Sequence, residues 1–379
     1  MKPSSFLVIG AGLAGAATAW RLAQRGHDVT VLERSEPANE MSSSHGSARI
    51  FRYAYADPFY VGLVKRTRPG WDELERAAAQ TLISSGGCVD FGALRDPVGL
   101  AGVLEAQGVE HQLLSSTEAA ARWPGIAFDS PVLWHEAAGV IDAESSVHAM
   151  LAQAVAHGAR VRSDWTVARV EKTAHGYRAR STSGDTVEAE RVVVAAGGWL
   201  PDLLSEIDLP QAFLEALPTF TVRQEQAYHF PYADSDAAGS WPTLISKSDQ
   251  IQVYGLPGGR DADFRGQKIA EYNGGRAMPS AAHQDGRIDP RNRERVVAYV
   301  KEFLPGLVPE PYAETTCLFT NTPHEDFVID GVDGITIVSP CSGHGAKFAP
   351  LVGEFAADLA TGEGGVPDRF LVAASGVAA

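Results

Sequence analysis

Residues 6–33 read FLVIGAGLAGAATAWRLAQRGHDVTVLE, and this stretch decides the fold. Phe6 to Ile9 is a short apolar run with no polar break, the pattern of a buried parallel strand. Gly10, Gly12 and Gly15 follow at once as G-A-G-L-A-G. Leu13, Ala16, Ala17, Trp20 and Ala23 then recur at helical spacing until Gly26 stops the helix. Val29 to Leu32 is a second strand, with Glu33 at its end. A dinucleotide requires these parts in this order. Gly10 permits the tight turn, Gly12 lets backbone approach a pyrophosphate, and Gly15 lets helix and strand pack closely. The helix N-terminus offers N–H groups and partial positive charge to the phosphates, and Glu33 can accept hydrogen bonds from ribose hydroxyls.

The 379 residues are too many for one small core and predict two domains. Hydrophobic residues make up 45% and charged residues 21%, an ordinary globular composition, and the net charge of -15 disfavours nucleic acid and anionic membrane as partners. Three cysteines, Cys88, Cys317 and Cys341, without motif spacing argue against a disulfide framework and against a zinc or other metal site. The apolar stretch Phe6–Trp20 is claimed by the glycine pattern rather than by a secretory signal, and it is too short to span a bilayer. The chain reads as cytoplasmic.

Residues 35–58 form a serine-rich connection without periodicity, of the kind that carries function beside a dinucleotide site. A helix is predicted over 59–80, with Pro69-Gly70 kinking or splitting it. Residues 81–145 alternate short strands and turns with helical pieces near 97–107 and 117–122. Ala143–His157 reads as a helix, Val161–Ser181 and Thr186–Ala196 as strands, and 210–262 as antiparallel sheet. A helix over Pro290–Phe303 follows, then short strands at Thr315–Phe319, Phe327–Ile329 and Thr336–Val338, and an amphipathic helix from Phe348 that stops at Gly362. The fold class is therefore α/β with two interleaved domains. A Rossmann-like nucleotide domain takes 1–80, 146–220 and 315–379. A mixed-sheet substrate domain takes 81–145 and 221–314, and the site lies in the crevice between them.

Three stretches carry chemistry. Arg49 and Arg52 close the serine-rich loop beside the dinucleotide turn, either as a local demand for cations or as a solvated basic turn. Ser342-Gly343-His344-Gly345-Ala346-Lys347 opens the last helix, where two glycines admit a flat ligand and the helix dipole favours an anionic ring; the other reading is a capping turn. Cys317, taken alone, is a small buried hydrophobe beside a strand.

Together these stretches give a resemblance. The chain resembles the monomeric sarcosine oxidase and N-methyltryptophan oxidase family of covalent flavoprotein amine oxidases, within the D-amino-acid-oxidase-like group. The likeness rests on GAGLAG, on SHGSARIFRYAY at 44–55, AAGGW at 195–199, YGLP at 254–257, GQKIAEYNGG at 266–275, CLFTNTPHEDFVID at 317–330 and SGHGAKF at 342–348. It implies FAD, bonded through the sulfur of Cys317 to the 8-methyl carbon of the flavin. It implies that Arg52 and Lys347 clamp a substrate carboxylate, that oxygen is reduced at Lys268, that Arg49 lies close to the flavin ring, and that His344 and its flanking glycines touch the flavin and line the substrate pocket.

The cofactor-binding set this implies is Gly10, Gly12, Gly15, Glu33, Arg34, Ser43, His45, Arg49, Ile50, Val167, Gly197, Trp199, Cys317, Gly343, His344, Gly345 and Lys347. The chain departs from the family at Ser44, where a second histidine is usual, at Ser47, where an aspartate is usual, and at Tyr272, where a histidine is usual. The catalytic candidates are accordingly Lys268, Arg49, His344 and Tyr272, and the substrate-binding candidates Arg52, Lys347, Tyr272 and His344.

Arginine offers a bidentate fork and lysine a point charge, which suits one carboxylate gripped from two sides. A buried ammonium such as Lys268 stabilises negative charge developing on oxygen. The expected activity is oxidation of a secondary amino acid, such as an N-methyl amino acid, to an imine, with oxygen leaving as hydrogen peroxide, by a monomer without membrane or nucleic-acid partners. A proline- or pipecolate-type cyclic imino acid oxidase, a dehydrogenase serving an electron carrier, and a non-catalytic flavin-binding sensor are the alternatives.

Overall fold

The computed structural model describes residues 4–372; Lys2, and residues 373–379 of the last nucleotide segment, lie outside the described residues. The glycine-turn stretch folds as its pattern requires. A strand over Ser4–Ile9 leads through the turn into a helix over Leu13–Gln24 and out to a strand over Val29–Leu32. The two strands pair in parallel, Phe6 beside Val29 and Ile9 beside Leu32. Gly10 takes φ +98°, and a Cβ there would lie 2.4 Å from the Ala195 carbonyl oxygen. At Gly15 a Cβ would meet the Gly10 carbonyl oxygen at 1.9 Å. Helix and turn close on each other only because both positions lack a side chain.

The first sheet has eight strands. Its centre is parallel: Arg160–Arg162, Val29–Leu32, Ser4–Ile9, Thr186–Val194 and Ile335–Ser339 lie side by side. Alternation along these strands sorts side chains to two faces. Phe6, Val8, Val29 and Val31 join a core with the helices Leu13–Gln24, Ala143–Ala156 and Ala349–Thr361. Leu7, Ile9 and Leu32 join the opposite core with Trp165, Val170, Tyr177 and Leu200.

The second sheet has nine strands and is mostly antiparallel. Its long strand Thr221–Pro231 pairs on one side with Ala313–Asn321 and on the other with Gly266–Glu271 and Arg276–Met278. The segment 313–321 therefore hydrogen-bonds in this second sheet, although 315–379 reads in sequence with the nucleotide segments. The helix Pro290–Phe303 buries Val296, Tyr299 and Val300 in the core of the second sheet. Among the described residues no helix is long and apolar enough to cross a membrane.

Three local expectations are corrected. The helix over Pro58–Ala78 is unbroken at Pro69-Gly70. Its buried face, Tyr60, Leu63, Val64, Trp71 and Leu74, holds it against the core, and Trp71 Nε1 donates to the Lys347 carbonyl at 2.7 Å. Tertiary packing offsets the one backbone hydrogen bond proline removes. Residues 161–181 form three strands, Arg160–Arg162, Val167–Thr173 and Gly176–Ser181. The breaks fall at Asp164, with φ +53°, and at Gly176, with φ +140°. Within 210–262, a helix occupies Gln211–Ala216, and Thr243–Lys247 pairs in parallel with Cys88–Phe91.

Candidate active site

Two cavities, each of about 340 Å³, share a wall. The first runs from the glycine turn along the C-terminal ends of the parallel strands, the place where open α/β sheets bind ligands. Gly10, Gly12, Glu33, Arg34, Ser43, Val167, Gly197, Trp199, Gly343 and Gly345 line it. The Leu13–Gln24 helix has no acidic residue in its first turn, so its positive end faces the cavity unopposed. Glu33 is buried at the strand end and accepts from Ala11 N–H at 2.7 Å and Ser35 N–H at 3.2 Å. Burial raises its pKa, and those backbone donors work in the opposite direction. Ser44 accepts from Leu13 N–H at 3.0 Å and so holds the serine-rich loop on the helix start. Arg34 stacks on the Trp199 ring, 4.3 Å from its centre. This donor set, a side-chain-free turn at a helix N-terminus with a carboxylate at the next strand end, fits FAD.

The second cavity is lined by alternate residues of the second sheet. Ile245 and Lys247, Tyr254 and Leu256, Lys268, then Cys317 and Phe319 present one face to it. Arg52, Tyr55, Tyr272, His344 and Lys347 complete the wall. Arg49, Cys317 and Gly343 line both cavities. At Gly343, φ is +70° and a Cβ would fall 2.8 Å from Phe319 and 2.9 Å from Tyr272. Glycine is needed where the loop passes between the two spaces.

Cys317 is a buried free thiol. Burial raises its pKa, with the charges of Arg49 and Lys268 pulling it down. Arg49 donates to the carbonyls of Ala48, Ser43 and His45, each at 2.9 Å, and pins the loop under itself. Lys268 is 4% exposed. Burial, then the charge of Arg49, bring its pKa down to about 8. Ser47 donates its hydroxyl to Asp261, and Asp261 N–H donates back to Ser47 at 3.1 Å. A carboxylate from another segment thus reaches position 47, and the Ser47 hydroxyl, then the charge of Lys268, hold the pKa of Asp261 down against burial.

Arg52 donates to the Ala54 carbonyl and lies over the Tyr55 ring at 4.4 Å. Arg95 donates to the same carbonyl at 2.9 Å and to Asp90 at 2.6 Å. Behind them, buried Asp90, Cys88 and His135 cluster closely enough to share an ion, but Asp90 is committed to Arg95. Lys347 is buried and donates to the His344 carbonyl at 2.7 Å. Burial, then Arg52, push its pKa well below the ordinary lysine value. His344 Nε2 meets the Glu325 carbonyl at 3.0 Å and Nδ1 meets the Tyr55 hydroxyl at 3.1 Å. A carbonyl only accepts, so the proton sits on Nε2. Burial and Lys347 lower the pKa of His344 to about 3, and the ring is neutral. Tyr272 donates to Glu325 at 2.6 Å. Burial and that carboxylate raise its pKa, so it forms a wall and does not serve as a base at neutral pH.

The structure thus brings Arg49, Arg52, Lys268, Tyr272, Cys317, His344 and Lys347 to one place. Several cofactor candidates sit off the first cavity's wall. Gly15 packs on the turn, His45 turns to the Ser42 carbonyl, and Ile50, His344 and Lys347 line the second cavity only. Tyr55, Arg95, Lys247 and Glu325 were not singled out from sequence. Tyr55 ends the SHGSARIFRYAY block and Glu325 lies within CLFTNTPHEDFVID, usable signals; Arg95 and Lys247 carry none.

The chain matches the family described as FAD dependent oxidoreductase over residues 5–359. It is 30% identical to the monomeric sarcosine oxidase of Streptomyces avermitilis over 379 aligned positions, covering 95% of this chain and 94% of that protein. It is 29% identical to the N-methyl-L-tryptophan oxidase of Yersinia pestis (strain Pestoides F) over 366 positions, 93% of each. Among solved structures, NikD, an unusual amino acid oxidase essential for nikkomycin biosynthesis, superposes with a TM-score of 0.86 at 24% identity over 98% of both chains. L-proline dehydrogenase from P. horikoshii gives 0.83 at 19% identity over 98% of this chain and 97% of that one. These likenesses show the shared two-domain α/β fold.

Proposed function

The chain belongs to the FAD-dependent oxidoreductase family, and we propose that it oxidises the C–N bond of a secondary amino acid, such as an N-methyl amino acid, to an imine with oxygen as acceptor. The observation that carries this reading is the shared wall. Arg49 and Cys317 border both cavities, and beyond them the second cavity holds the half-buried Arg52 and the buried Lys268 and Lys347.

In this reading 1–80, 146–220 and 315–379 hold the cofactor and 81–145 with 221–314 shape the substrate side, the strand 313–321 carrying Cys317 across the boundary. Glu33, the glycine turn and the start of the Leu13–Gln24 helix would hold the dinucleotide, with Cys317 placed to bond the flavin. Bound FAD supplies a two-electron acceptor and, through oxygen, the route to hydrogen peroxide. Arg52 and Lys347 bind the substrate carboxylate from two sides and thereby orient its amine. Neutral His344 and the Tyr272 ring wall the pocket and take no proton. Lys268 keeps a positive charge where oxygen gains electrons. The sarcosine and N-methyltryptophan oxidases named among the relatives support an amine donor. A monomer in the cytoplasm is part of the same reading.

A peroxide assay of the holoenzyme against N-methyl and cyclic amino acids tests it. Peroxide from the N-methyl set is expected. Activity confined to proline or pipecolate favours the cyclic imino acid reading. Flavin reduced by substrate but inert to air favours a dehydrogenase.

A further inference from the structure

The second cavity carries more positive charge than one carboxylate needs. Arg52 and Lys347 are assigned above to the substrate's α-carboxylate. Arg95 and Lys247 line the same cavity. Arg95 is neutralised by Asp90, both side chains being buried. Lys247 is different: among the described residues no carboxylate lies within 4.0 Å of its ammonium.

The backbone holds Lys247 in this position. It ends the strand Thr243–Lys247, opposite Gln252, and shares a sheet face with Ile245. Its carbonyl accepts from Leu94 N–H at 3.1 Å, which fastens it to the turn that carries Arg95. Its ammonium lies 5.5 Å from the centre of the Tyr272 ring. Burial, then Arg95 and Arg52, depress its pKa, while the charges of Glu325 and Asp90 offset this in part. The acids that line the cavity are already engaged, Asp57 by Arg369 and Glu325 by the Tyr272 hydroxyl. A half-buried ammonium with two cationic neighbours and, among the described residues, no carboxylate in ion-pair range is undercompensated until an anion arrives.

We propose that Lys247 is a specificity-determining residue that binds a second carboxylate, so that the substrate is a secondary amino acid with an acidic side chain. This rests on the oxidase reading above. Arg52 and Lys347 take the α-carboxylate, and Lys247 takes the side-chain carboxylate. An N-methylated aspartate or glutamate has the required charges, and a cavity of about 340 Å³ lies within the range that small-molecule sites occupy.

The test compares N-methylaspartate, N-methylglutamate, N-methylalanine and sarcosine as substrates of the holoenzyme. Separately, glutarate and butyrate are titrated against the flavin absorbance, which reads binding without turnover. At least one N-methyl dicarboxylate should exceed N-methylalanine in kcat/KM by about tenfold or more, mainly through KM. Glutarate should bind more tightly than butyrate by a similar factor. Lys247→Met should bring both ratios toward one, and Lys247→Arg should preserve them. Equal binding of glutarate and butyrate by the wild type overturns the assignment. So does equal or better turnover of N-methylalanine, which leaves the oxidase reading standing. A glutarate advantage lost in Lys247→Met, with none of the four amino acids oxidised, supports the anion site and locates the failure in the oxidase reading.

Discussion

Cys317 lies directly opposite Glu225 in the antiparallel ladder between Thr221–Pro231 and Ala313–Asn321. Directly paired residues share a sheet face, so a buried carboxyl stands beside the thiol at the junction of the two cavities. Glu225 Oε2 accepts from Gly275 N–H at 3.1 Å, and Oε1 is buried with no hydrogen-bond partner among the described residues.

The first prediction concerns the thiol. Acid precipitation of the holoenzyme should leave a yellow pellet, and Cys317→Ser should release the flavin to the supernatant while the fold persists. A colourless wild-type pellet contradicts a covalent link through Cys317.

The carboxyl predicts a pH dependence of stability. Burial raises the pKa of Glu225 from 4.5 to about 7. The unfolded chain loses this proton near the ordinary value, whereas the folded chain keeps it until about pH 7. Stability therefore falls as pH rises between those values and levels off above them, by roughly 3 kcal/mol from this group. Glu225→Gln removes this fall. Urea unfolding at pH 4 and pH 8 should show the variant losing less stability than the wild type over that interval. Parallel losses contradict the shifted carboxyl.

Lys268 should act on the oxygen half-reaction. Lys268→Met should slow flavin reoxidation by about 10²–10³, the scale of a lost oxyanion donor, and slow flavin reduction far less. With its pKa near 8, the ammonium loses its proton as pH rises through that value. Reoxidation should accordingly be faster below about pH 8 and decline above it. Equal losses in both half-reactions would assign Lys268 to structure or to substrate.

The nucleotide fold was legible because Phe6–Ile9 and Val29–Leu32 are buried on both faces and bracket a glycine pattern with one physical solution. Cys317, Lys268 and Lys347 were legible only as members of blocks; each alone reads as an ordinary buried cysteine or surface lysine. Two features were beyond sequence. Asp261 reaches Ser47 across 214 positions, a contact set by tertiary folding and not by local pattern. Lys247 gains its meaning from having no carboxylate in ion-pair range among the described residues, which no one-dimensional reading detects. The run 161–181 misled because β-prone residues resume directly after both breaks, although Ser163-Asp164 and His175-Gly176 mark turns and Asp164 takes φ +53°.

The carboxylate grip of Arg52 and Lys347 is the centre of the account. Each charge-assisted hydrogen bond to it contributes roughly 1.5–3 kcal/mol, and removing one cation leaves the anion poorly compensated. Arg52→Ala or Lys347→Ala should weaken carboxylate inhibitors by about tenfold or more while flavin content stays near normal. The most direct measurement is anaerobic rapid mixing of holoenzyme with the best N-methyl amino acid of the panel and with its α-decarboxylated amine, following loss of flavin absorbance. The amino acid should reduce the flavin at least about tenfold faster at equal concentration, and Arg52→Ala should narrow that gap. Reduction by the decarboxylated amine as fast as by its parent would contradict the clamp and the amino-acid oxidase reading with it.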